Sequence, residues 1–426
     1  MSALDVHLHD RRLGTLERIE GGRLRFTYDG GVEADMRPPL SLSLPVRTEA
    51  YEDAECRGYF SGLLPEGGFL RGVARAFGVS ASNAFSVLDA IGGECAGAVS
   101  LSPSGAERPA AGGPRWLDPP ELYEVLAQTP ERIMATGIDG EGLRLSLAGA
   151  QEKLPVMFEG GRVGVTGGDP PSTHIVKLPI PGYQDTVANE NYCLALAAAS
   201  GLTVAESDAR SSGASDASDE ADDSIPFLLV TRYDRVEGPV RRLHQEDLCQ
   251  ALGRPPEVKY EAEGGPSVRD CADLMTRHSA IPARDRLAFC DALLFNLVIG
   301  NHDAHSKNYS LLLEGPDTPR LASLYDLLST AIYPNLSRKL AMRYGGEDRP
   351  GYIERRHLDR LAQDLGMRGP ALARRAAALA DRVEAGVPLA DERAAAHFRD
   401  PEILAKIKDR VEAGLKILRR ATVSPN

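Results

Sequence analysis

The residues best suited to chemistry lie in the segment GNHDAHSKN, residues 300–308. Asp303 is followed after four residues by Asn308, and Asp326 comes eighteen residues after Asn308, at the end of the predicted strand in SLYDLLS. Phosphoryl transfer requires a carboxylate that accepts the proton of an attacking hydroxyl, and an Asn and a further Asp that hold magnesium against nucleotide phosphates. Carboxylate and amide oxygens suit this hard cation. The spacing therefore indicates phosphoryl transfer, although Asp-x4-Asn alone often occurs by chance.

The same segment allows a different chemistry. His302, Asp303 and His305 form an H-D-x-H cluster, which suits zinc or manganese in a metal-dependent phosphohydrolase. No second His/Asp cluster with ligand spacing accompanies it in the sequence. This alternative also leaves Lys177 and the segment around Gln245 without a role.

Lys177 lies within the apolar segment HIVKLP, where a strand is predicted. Burial of an ammonium group in such a strand costs several kcal/mol unless an anion lies beside it. A nucleotide phosphate would be such an anion. Glu190, thirteen residues later in a predicted helix, can orient this lysine as a charge partner. The alternative is a lysine that extends its ammonium group to water at a strand edge.

Two further segments complete the order of a protein-kinase ATP site. FLLVTRYDR, residues 227–235, runs from an apolar strand into polar residues and can present backbone groups to an adenine. No G-x-G-x-x-G precedes Lys177, but the loop RLSLAGAQEKLPV carries Lys153 and can form a phosphate-cradling nest. An ordinary strand-turn-strand explains this loop equally well. The amides of the nest would come from Ser146, Ala148, Gly149 and Ala150.

Composition and charge limit the class of protein. The 426 residues are 42% hydrophobic and carry a formal net charge of -12, which argues against sequence-independent binding to nucleic acid. Six scattered cysteines without C-x-x-C predict reduced, buried thiols in a cytoplasmic protein. The sequence also shows neither a signal peptide nor an apolar run long enough to cross a membrane.

The order of predicted elements gives an α+β class with two lobes. We predict an amino-terminal subdomain over residues 1–105, an ATP-binding sheet-rich lobe over 106–242, and a helical lobe over 243–426 that carries the catalytic loop. A hairpin is predicted at Gly160 and Gly161. The acidic Ser/Ala/Asp tract from Ser207 to Ser224 is predicted to be a solvated loop, too polar to fold.

Seven motifs, in the order in which they occur along the sequence, resemble those of the HipA family of toxin kinases from type II toxin-antitoxin systems. The segment GLLPEGGFLRGVARAFGVSASNAFSVLDAIGGECAGAVSL also resembles the amino-terminal subdomain of that family, so the resemblance extends to about residue 345. The seven motifs are SLAGAQEKLPV, THIVKLP, NENYCLALAAASGL, FLLVTRYDR, RLHQEDLCQALGRPPEVKYEAEGGPS, GNHDAHSKNYSLLL and SLYDLLSTAIYP.

The resemblance implies a bilobal protein-kinase-like fold that transfers the γ-phosphate of ATP to a serine or threonine. Asp303 would be the catalytic base, and Asn308 and Asp326 would bind Mg²⁺. Ser146 would be autophosphorylated in trans, which expels its loop and switches the kinase off. Some members carry an acidic residue in place of Thr231, so adenine contacts there rely on the backbone. The nucleotide would be bound by Lys177, Glu190, Ser146, Ala148, Gly149, Ala150, Thr231, Tyr233, Asp234, Gln245 and Lys307.

The resemblance also implies partners. The substrate would be an aminoacyl-tRNA synthetase, with the glutamyl enzyme favoured, so that translation stops. A small helix-turn-helix antitoxin, similar to HipB, would hold the toxin on operator DNA, which fits an acidic chain that contacts DNA only through its partner. A catalytically silent corepressor subunit remains the alternative in a different class, although every expected catalytic residue is present.

Overall fold

The computed structural model describes residues 2–106, 113–128, 148–149, 151–166, 170–213, 224–236 and 240–423. The strands in these parts are β1 Ala3–Leu8, β2 Arg11–Arg18, β3 Leu24–Tyr28, β4 Tyr51–Glu52, β5 Val99–Pro103, β6 Arg115–Trp116, β7 Lys153–Glu159, β8 Arg162–Val165, β9 His174–Lys177, β10 Ser207–Ser211, β11 Pro226–Thr231, β12 Arg235–Val236, β13 Arg241–Arg242, β14 Gln245–Asp247, β15 Ser310–Leu312 and β16 Arg320–Leu321. The helices are α1 Asp53–Gly62, α2 Gly67–Ala76, α3 Ala84–Ile91, α4 Pro119–Ala127, α5 Thr186–Ala199, α6 Leu248–Ala251, α7 Val268–His278, α8 Pro282–Ile299, α9 Arg355–Asp364, α10 Gly369–Ala394 and α11 Pro401–Thr422.

The chain folds into two compact units, and neither unit is continuous in sequence. Unit 1 contains residues 1–178, 210–256 and 312–315. Unit 2 contains residues 179–209, 257–311 and 316–426. The mixture of sheets and helices confirms the predicted α+β class.

The amino-terminal part of unit 1 is a five-stranded antiparallel sheet with the order β4-β3-β2-β1-β5. Alternate residues of β1 and β3 are buried, as the period of a strand with one covered face requires. Leu4, Val6 and Phe26 on that face join one core with Phe60 of α1 and Leu88 of α3. This part of unit 1 therefore has its own hydrophobic core.

The second sheet of unit 1 has the strand order β11-β9-β7-β8-β6. Leu154 of β7, Val176 of β9 and Leu229 of β11 share a core on one face of this sheet. Gly160 and Gly161 connect β7 to β8, with φ angles of 56° and 82°. Such angles at both central residues make the tight turn that matches strand twist, so the predicted hairpin is confirmed.

The prediction for the acidic tract was partly wrong. Ser207–Ser211 form strand β10, and the Ser212 backbone N–H donates to the Ile225 carbonyl at 3.0 Å. Backbone pairing and the burial of Ala209 outweigh the polar composition at this end of the tract. Residues 214–223 of the tract lie outside the described residues.

Unit 2 is mainly helical, and α8 is its central helix. Every residue of α8 from Phe289 to Ile299 is buried, as the apolar run LAFCDALLFNLVI predicts. Helix α11 packs on α8, while α10 packs on both α5 and α11. Gly414 of α11 lets the two helices approach closely, because a Cβ there would lie 2.2 Å from the Val298 carbonyl oxygen. The polar segment that follows α8 is thus attached to a rigid core.

Two other predictions can be compared with the structure. All six cysteines are free and buried, as predicted. None of the helices in the described parts of the chain is long and apolar enough to cross a membrane.

Candidate active site

The catalytic loop begins where α8 ends. Gly300 terminates the helix with a φ angle of 70°, a conformation that favours glycine, and its N–H donates to the Asn296 carbonyl. The Asn301 N–H donates to the same carbonyl at 2.9 Å. These two hydrogen bonds therefore fix the direction in which the loop leaves the helix.

Asn301 connects the two carboxylates that the sequence singled out. Its Oδ1 accepts the backbone N–H of Asp303 at 3.3 Å, and its Nδ2 donates to the Asp326 carbonyl at 3.0 Å. Asp303 itself is exposed, whereas most residues around it in the loop are buried. An exposed carboxylate on a fixed backbone is the arrangement that a general base needs. Sequence reasoning missed Asn301; its position directly after the helix-ending glycine was the available signal.

Asn308 and Asp326 are brought together. Asn308 ends the short 3₁₀ helix Ser306–Asn308, and its Nδ2 donates to Asp326 Oδ2 at 3.2 Å. Asn308 Oδ1 accepts the His305 N–H at 3.2 Å, which fixes the amide from its other side. These side chains can supply neighbouring oxygen ligands to a hard divalent cation.

Asp326 differs from its prediction in one respect. The sequence placed it at the end of a strand, but the nearest strand, β16, ends at Leu321. Asp326 has a φ angle of 52°, which non-glycine residues seldom adopt. Such backbone strain of about 1–3 kcal/mol persists where the surrounding structure enforces it, often at functional sites.

His302 and His305 support the loop rather than form a metal cluster. Both are buried, and burial lowers the pKa of each imidazole below its usual value, well below for His305. His302 Nδ1 lies 3.1 Å from the Ser337 carbonyl oxygen, and the His305 ring packs edge-on against Tyr260. Within the described residues, no group of three or more His, Cys, Asp or Glu is placed to hold a metal ion. The burial and packing of the two histidines, as supports of the loop, disfavour the phosphohydrolase alternative.

Lys307 lies in the same 3₁₀ helix, with its side chain largely buried. Its carbonyl accepts the hydroxyl of Tyr325 at 2.9 Å, and that hydroxyl also lies 2.7 Å from Ser310 Oγ. These bonds tie the residue before Asp326 to the catalytic loop. They explain why Asp326, which is eighteen residues beyond Asn308 in sequence, lies beside it in the structure.

Unit 1 contains Lys177, the predicted phosphate-binding lysine, and Lys153 of the predicted phosphate loop. Lys177 of β9 and Lys153 of β7 are directly opposite each other in the antiparallel pair, with 4% and 8% of their surface exposed. Directly opposed residues project from the same face of a sheet, and here that face is opposite to the Leu154 and Val176 core. Two like charges at such positions destabilise a sheet unless anions offset them.

The part of the phosphate loop that the structure describes lies beside Lys153. Lys153 Nζ donates to the Ala148 carbonyl at 2.5 Å, and the Gly149 carbonyl accepts the Glu66 N–H at 2.9 Å. Gly149 has a φ angle of 110°, so glycine is required there. Ser146 and Ala150 lie outside the described residues.

The predicted nucleoside contacts also lie in unit 1. Thr231 ends β11, and both Thr231 and Tyr233 are half-buried. The Tyr233 hydroxyl donates to Gln245 Oε1, so the structure brings two of the predicted residues together. Gly97 approaches the Gln245 backbone so closely that a Cβ there would lie 2.7 Å from its nitrogen. The amino-terminal sheet region thereby supports this segment.

Asp234 is buried in an ion network. Arg232 donates to both of its oxygens at 3.0 and 2.9 Å, Arg235 approaches Oδ2 at 3.0 Å, and the Gly97 N–H donates to it at 2.9 Å. Glu94 pairs with the same two arginines at 3.3 and 2.7 Å. Burial alone would raise the pKa of Asp234, but the two guanidinium charges hold it below its ordinary value. These bonds show that Asp234 supports this segment, and its predicted contact with the nucleotide remains a prediction.

Glu190 is in unit 2, in the second turn of α5, where only 2% of its surface is exposed. A buried carboxylate is costly unless charges or hydrogen bonds compensate it. Its predicted function toward Lys177 remains a prediction.

Comparison with known proteins agrees with these features. A family model described as the HipA-like C-terminal domain matches residues 145–388, and one described as the HipA N-terminal domain matches residues 4–102. Y4mE of Sinorhizobium fredii, which carries a provisional kinase name, is 40% identical over 425 residues, or 98% of each chain. The serine/threonine-protein kinase toxin HipA of Shewanella oneidensis is 32% identical over 383 residues, which cover 85% of this chain and 83% of that protein.

A solved structure extends the similarity over almost the whole chain. HipA of Shewanella oneidensis, determined with HipB and its operator DNA, matches with a TM-score of 0.79 and 27% identity. The match covers 98% of this chain and 97% of that one, so it continues beyond residue 345, where the sequence resemblance was limited to helical character. The chain therefore belongs to the HipA family of serine/threonine-protein kinase toxins.

Proposed function

We propose that this protein is an ATP- and Mg²⁺-dependent kinase that transfers the γ-phosphate to a serine or threonine of a protein. The observation that carries the proposal is the arrangement in unit 2: Asn308 and Asp326 are in contact, and Asp303 is exposed on the same loop. A base, an amide ligand and a carboxylate ligand are the protein groups that phosphoryl transfer by a kinase requires.

The donor atoms near Asp326 fit magnesium. Its carboxylate and the Oδ1 of Asn308 are hard oxygen ligands, and two such side chains are a usual protein contribution to a magnesium site completed by phosphates and water. When bound, the cation would neutralise charge on the phosphates. Asp303 would accept the proton of the substrate hydroxyl, while Lys307 would contribute positive charge from the same loop.

For ATP binding, we assign the two opposed lysines of unit 1 to the phosphates. Lys177 and Lys153 would each donate to phosphate oxygens, and the backbone at Ala148 and Gly149 would belong to the cradle. Tyr233 and Gln245 would contact the nucleoside, with Thr231 contributing its backbone. The role of Ser146 as an autophosphorylation site is part of the proposal and rests on the family resemblance.

We further propose that the protein acts as the toxin of a toxin-antitoxin pair. The HipA of Shewanella oneidensis was solved with HipB and operator DNA, which supports a HipB-like helix-turn-helix partner and DNA contact through that partner. A net charge of -12 agrees with DNA contact through a partner. An aminoacyl-tRNA synthetase, with the glutamyl enzyme favoured, is the proposed substrate on the basis of the family resemblance.

Incubation with labelled ATP and MgCl₂, followed by mass spectrometry, tests the kinase proposal. We expect phosphate on Ser146, lost in Asp303→Asn and retained in Asp273→Asn, which changes an exposed aspartate on α7. Unlabelled wild-type protein would contradict the proposal. Metal-dependent release of phosphate from a model ester would instead favour the phosphohydrolase.

Expression without a helix-turn-helix partner tests the toxin role. We expect growth arrest with the wild-type chain and normal growth with Asp303→Asn at the same protein level. Unaffected growth, combined with tighter operator binding by the partner when the chain is added, would favour the corepressor alternative.

A further inference from the structure

Tyr260 contacts the proposed catalytic base. Its hydroxyl donates a hydrogen bond to Asp303 Oδ1 at 2.7 Å, and both residues belong to unit 2. A carboxylate has two oxygens and about four lone-pair positions, so this bond is compatible with acceptance of a substrate proton. The bond restricts the rotation of this exposed side chain.

The segment around Tyr260 is attached on one side to the catalytic loop and on the other to the segment around Ala341. The Lys259 carbonyl accepts Ser306 Oγ at 3.3 Å, and the Glu261 N–H donates to the Ala341 carbonyl at 3.1 Å. The Tyr260 carbonyl accepts the N–H groups of Glu263 and Gly265 at 3.0 and 2.9 Å. This tight turn fixes the backbone from which the tyrosine projects.

The Tyr260 ring is also held. It packs edge-on against the His305 ring with 5.3 Å between centroids, and Lys259 Nζ lies 5.4 Å from its centroid. His305 in turn donates its backbone N–H to Asn308, so the ring contacts the loop that carries the proposed magnesium ligands. Because the ring is held in this position, its hydroxyl is directed at Asp303.

We propose that Tyr260 is a positioning residue for phosphoryl transfer, which orients the Asp303 carboxylate and stabilises its ionised form through the hydroxyl. This inference rests on the proposed kinase function and deepens it. A charge-assisted hydrogen bond is shorter and stronger than a neutral one, and 2.7 Å is within that range. Loss of the hydroxyl alone should therefore change the orientation and ionisation of the Asp303 carboxylate, while the aromatic ring keeps its packing.

The groups near Asp303 allow a clear pH experiment. Besides Tyr260, the titratable groups near it in the loop and its turn are His302, His305, Lys259 and Lys307. Burial lowers the pKa of both histidines. The assignment to Asp303 therefore comes from the comparison of variants: Tyr260→Phe removes only the hydroxyl that contacts Asp303 Oδ1, so a shift of the acid limb between the two proteins reports on Asp303.

The test compares wild-type protein with Tyr260→Phe and with the control Tyr352→Phe, whose tyrosine is 60% exposed. Autophosphorylation with [γ-³²P]ATP and MgCl₂ is measured from pH 4.5 to 9, together with ATP affinity and thermal stability. For Tyr260→Phe we expect a rate about tenfold lower near pH 6 and an acid limb moved upward by about one pH unit. ATP affinity and Tm should match those of wild type.

Different outcomes separate the inference from the function on which it rests. Active wild-type protein with an unchanged rate and pH profile in Tyr260→Phe would overturn the positioning role. A lower rate with an unchanged acid limb and a lower Tm would also overturn it, because that pattern indicates a structural role only. Wild-type protein that transfers no phosphate would overturn the proposed function and the inference together.

Discussion

Asn308 and Asp326 are eighteen residues apart in sequence, yet Asn308 Nδ2 lies 3.2 Å from Asp326 Oδ2. The contact depends on Asn301, which bonds the Asp326 carbonyl, and on Tyr325, which bonds the Lys307 carbonyl. The catalytic loop and Asp326, the residue with the unusual φ angle, are thus connected by hydrogen bonds into one assembly.

We predict that Asp326→Asn and Asn308→Ala weaken magnesium dependence without unfolding the protein. Each substitution removes one oxygen ligand, so the MgCl₂ concentration for half-maximal autophosphorylation should rise about tenfold or more. Magnesium titration at fixed ATP measures the effect, and Asp273→Asn serves as the matched control on an exposed helix surface. An unchanged titration in both variants would exclude these residues as ligands.

The opposed lysines of unit 1 lead to a prediction about ATP affinity. Lys153→Gln and Lys177→Gln should each weaken ATP binding by roughly 10–100-fold, because a hydrogen bond to a charged group contributes about 1.5–3 kcal/mol. Isothermal titration with ATP measures binding without any phosphate transfer. Lys416→Gln, an exposed helical lysine paired with Glu412, should bind like wild type. Equal affinity in all three variants would contradict the phosphate assignment.

The buried network around Asp234 should be important for stability. Arg232→Met leaves Glu94 and Asp234 buried with one guanidinium fewer, so we expect the free energy of unfolding to fall by about 3–5 kcal/mol. Arg241→Met, at an arginine whose side chain is 58% exposed and paired with Glu314, should cost no more than about 1 kcal/mol. Urea unfolding monitored by circular dichroism compares them. Similar losses in both variants would show that burial of the network contributes little.

Glu246 should make stability depend on pH. Its carboxylate is buried and accepts Ser41 Oγ at 2.5 Å and the Leu42 N–H at 2.8 Å. Burial raises its pKa to about 8, so above the unfolded value near 4.5 the folded state binds more protons than the unfolded state. The contribution is therefore fully present below pH 4.5 and is lost as the pH rises toward 8, by at most about 1.4 kcal/mol per pH unit.

Glu246→Gln tests this effect, because the neutral amide has the same shape and can still accept the Leu42 N–H. The fall in unfolding free energy between pH 5.5 and 8 should be smaller in Glu246→Gln than in wild type. Glu412→Gln, at an exposed position, should retain the wild-type slope. Identical slopes in all three proteins would show that Glu246 ionises normally in the folded state.

Local sequence patterns predicted much of the fold. The Gly160-Gly161 turn, the strand around Lys177 and the buried helix before Gly300 are all present. Each depends on short-range physics: φ angles accessible to glycine, alternation of buried residues, and an apolar run long enough for a helix. The prediction for Ser207–Ser211 was wrong for the opposite reason, because backbone pairing with the next strand, β11, outweighs a polar composition.

For the site, the sequence by itself determined the residue types and their order: Lys177, then Asp303 and Asn308, then Asp326. It contained no measure of which distant side chains meet, since such contacts depend on how helices and loops pack. Only the tertiary structure placed Asn308 against Asp326, Lys153 opposite Lys177, and the Tyr260 hydroxyl on Asp303. It also showed that Asp234, a predicted nucleotide ligand, lies in a buried ion network, because burial and neighbouring charges are properties of the folded chain alone.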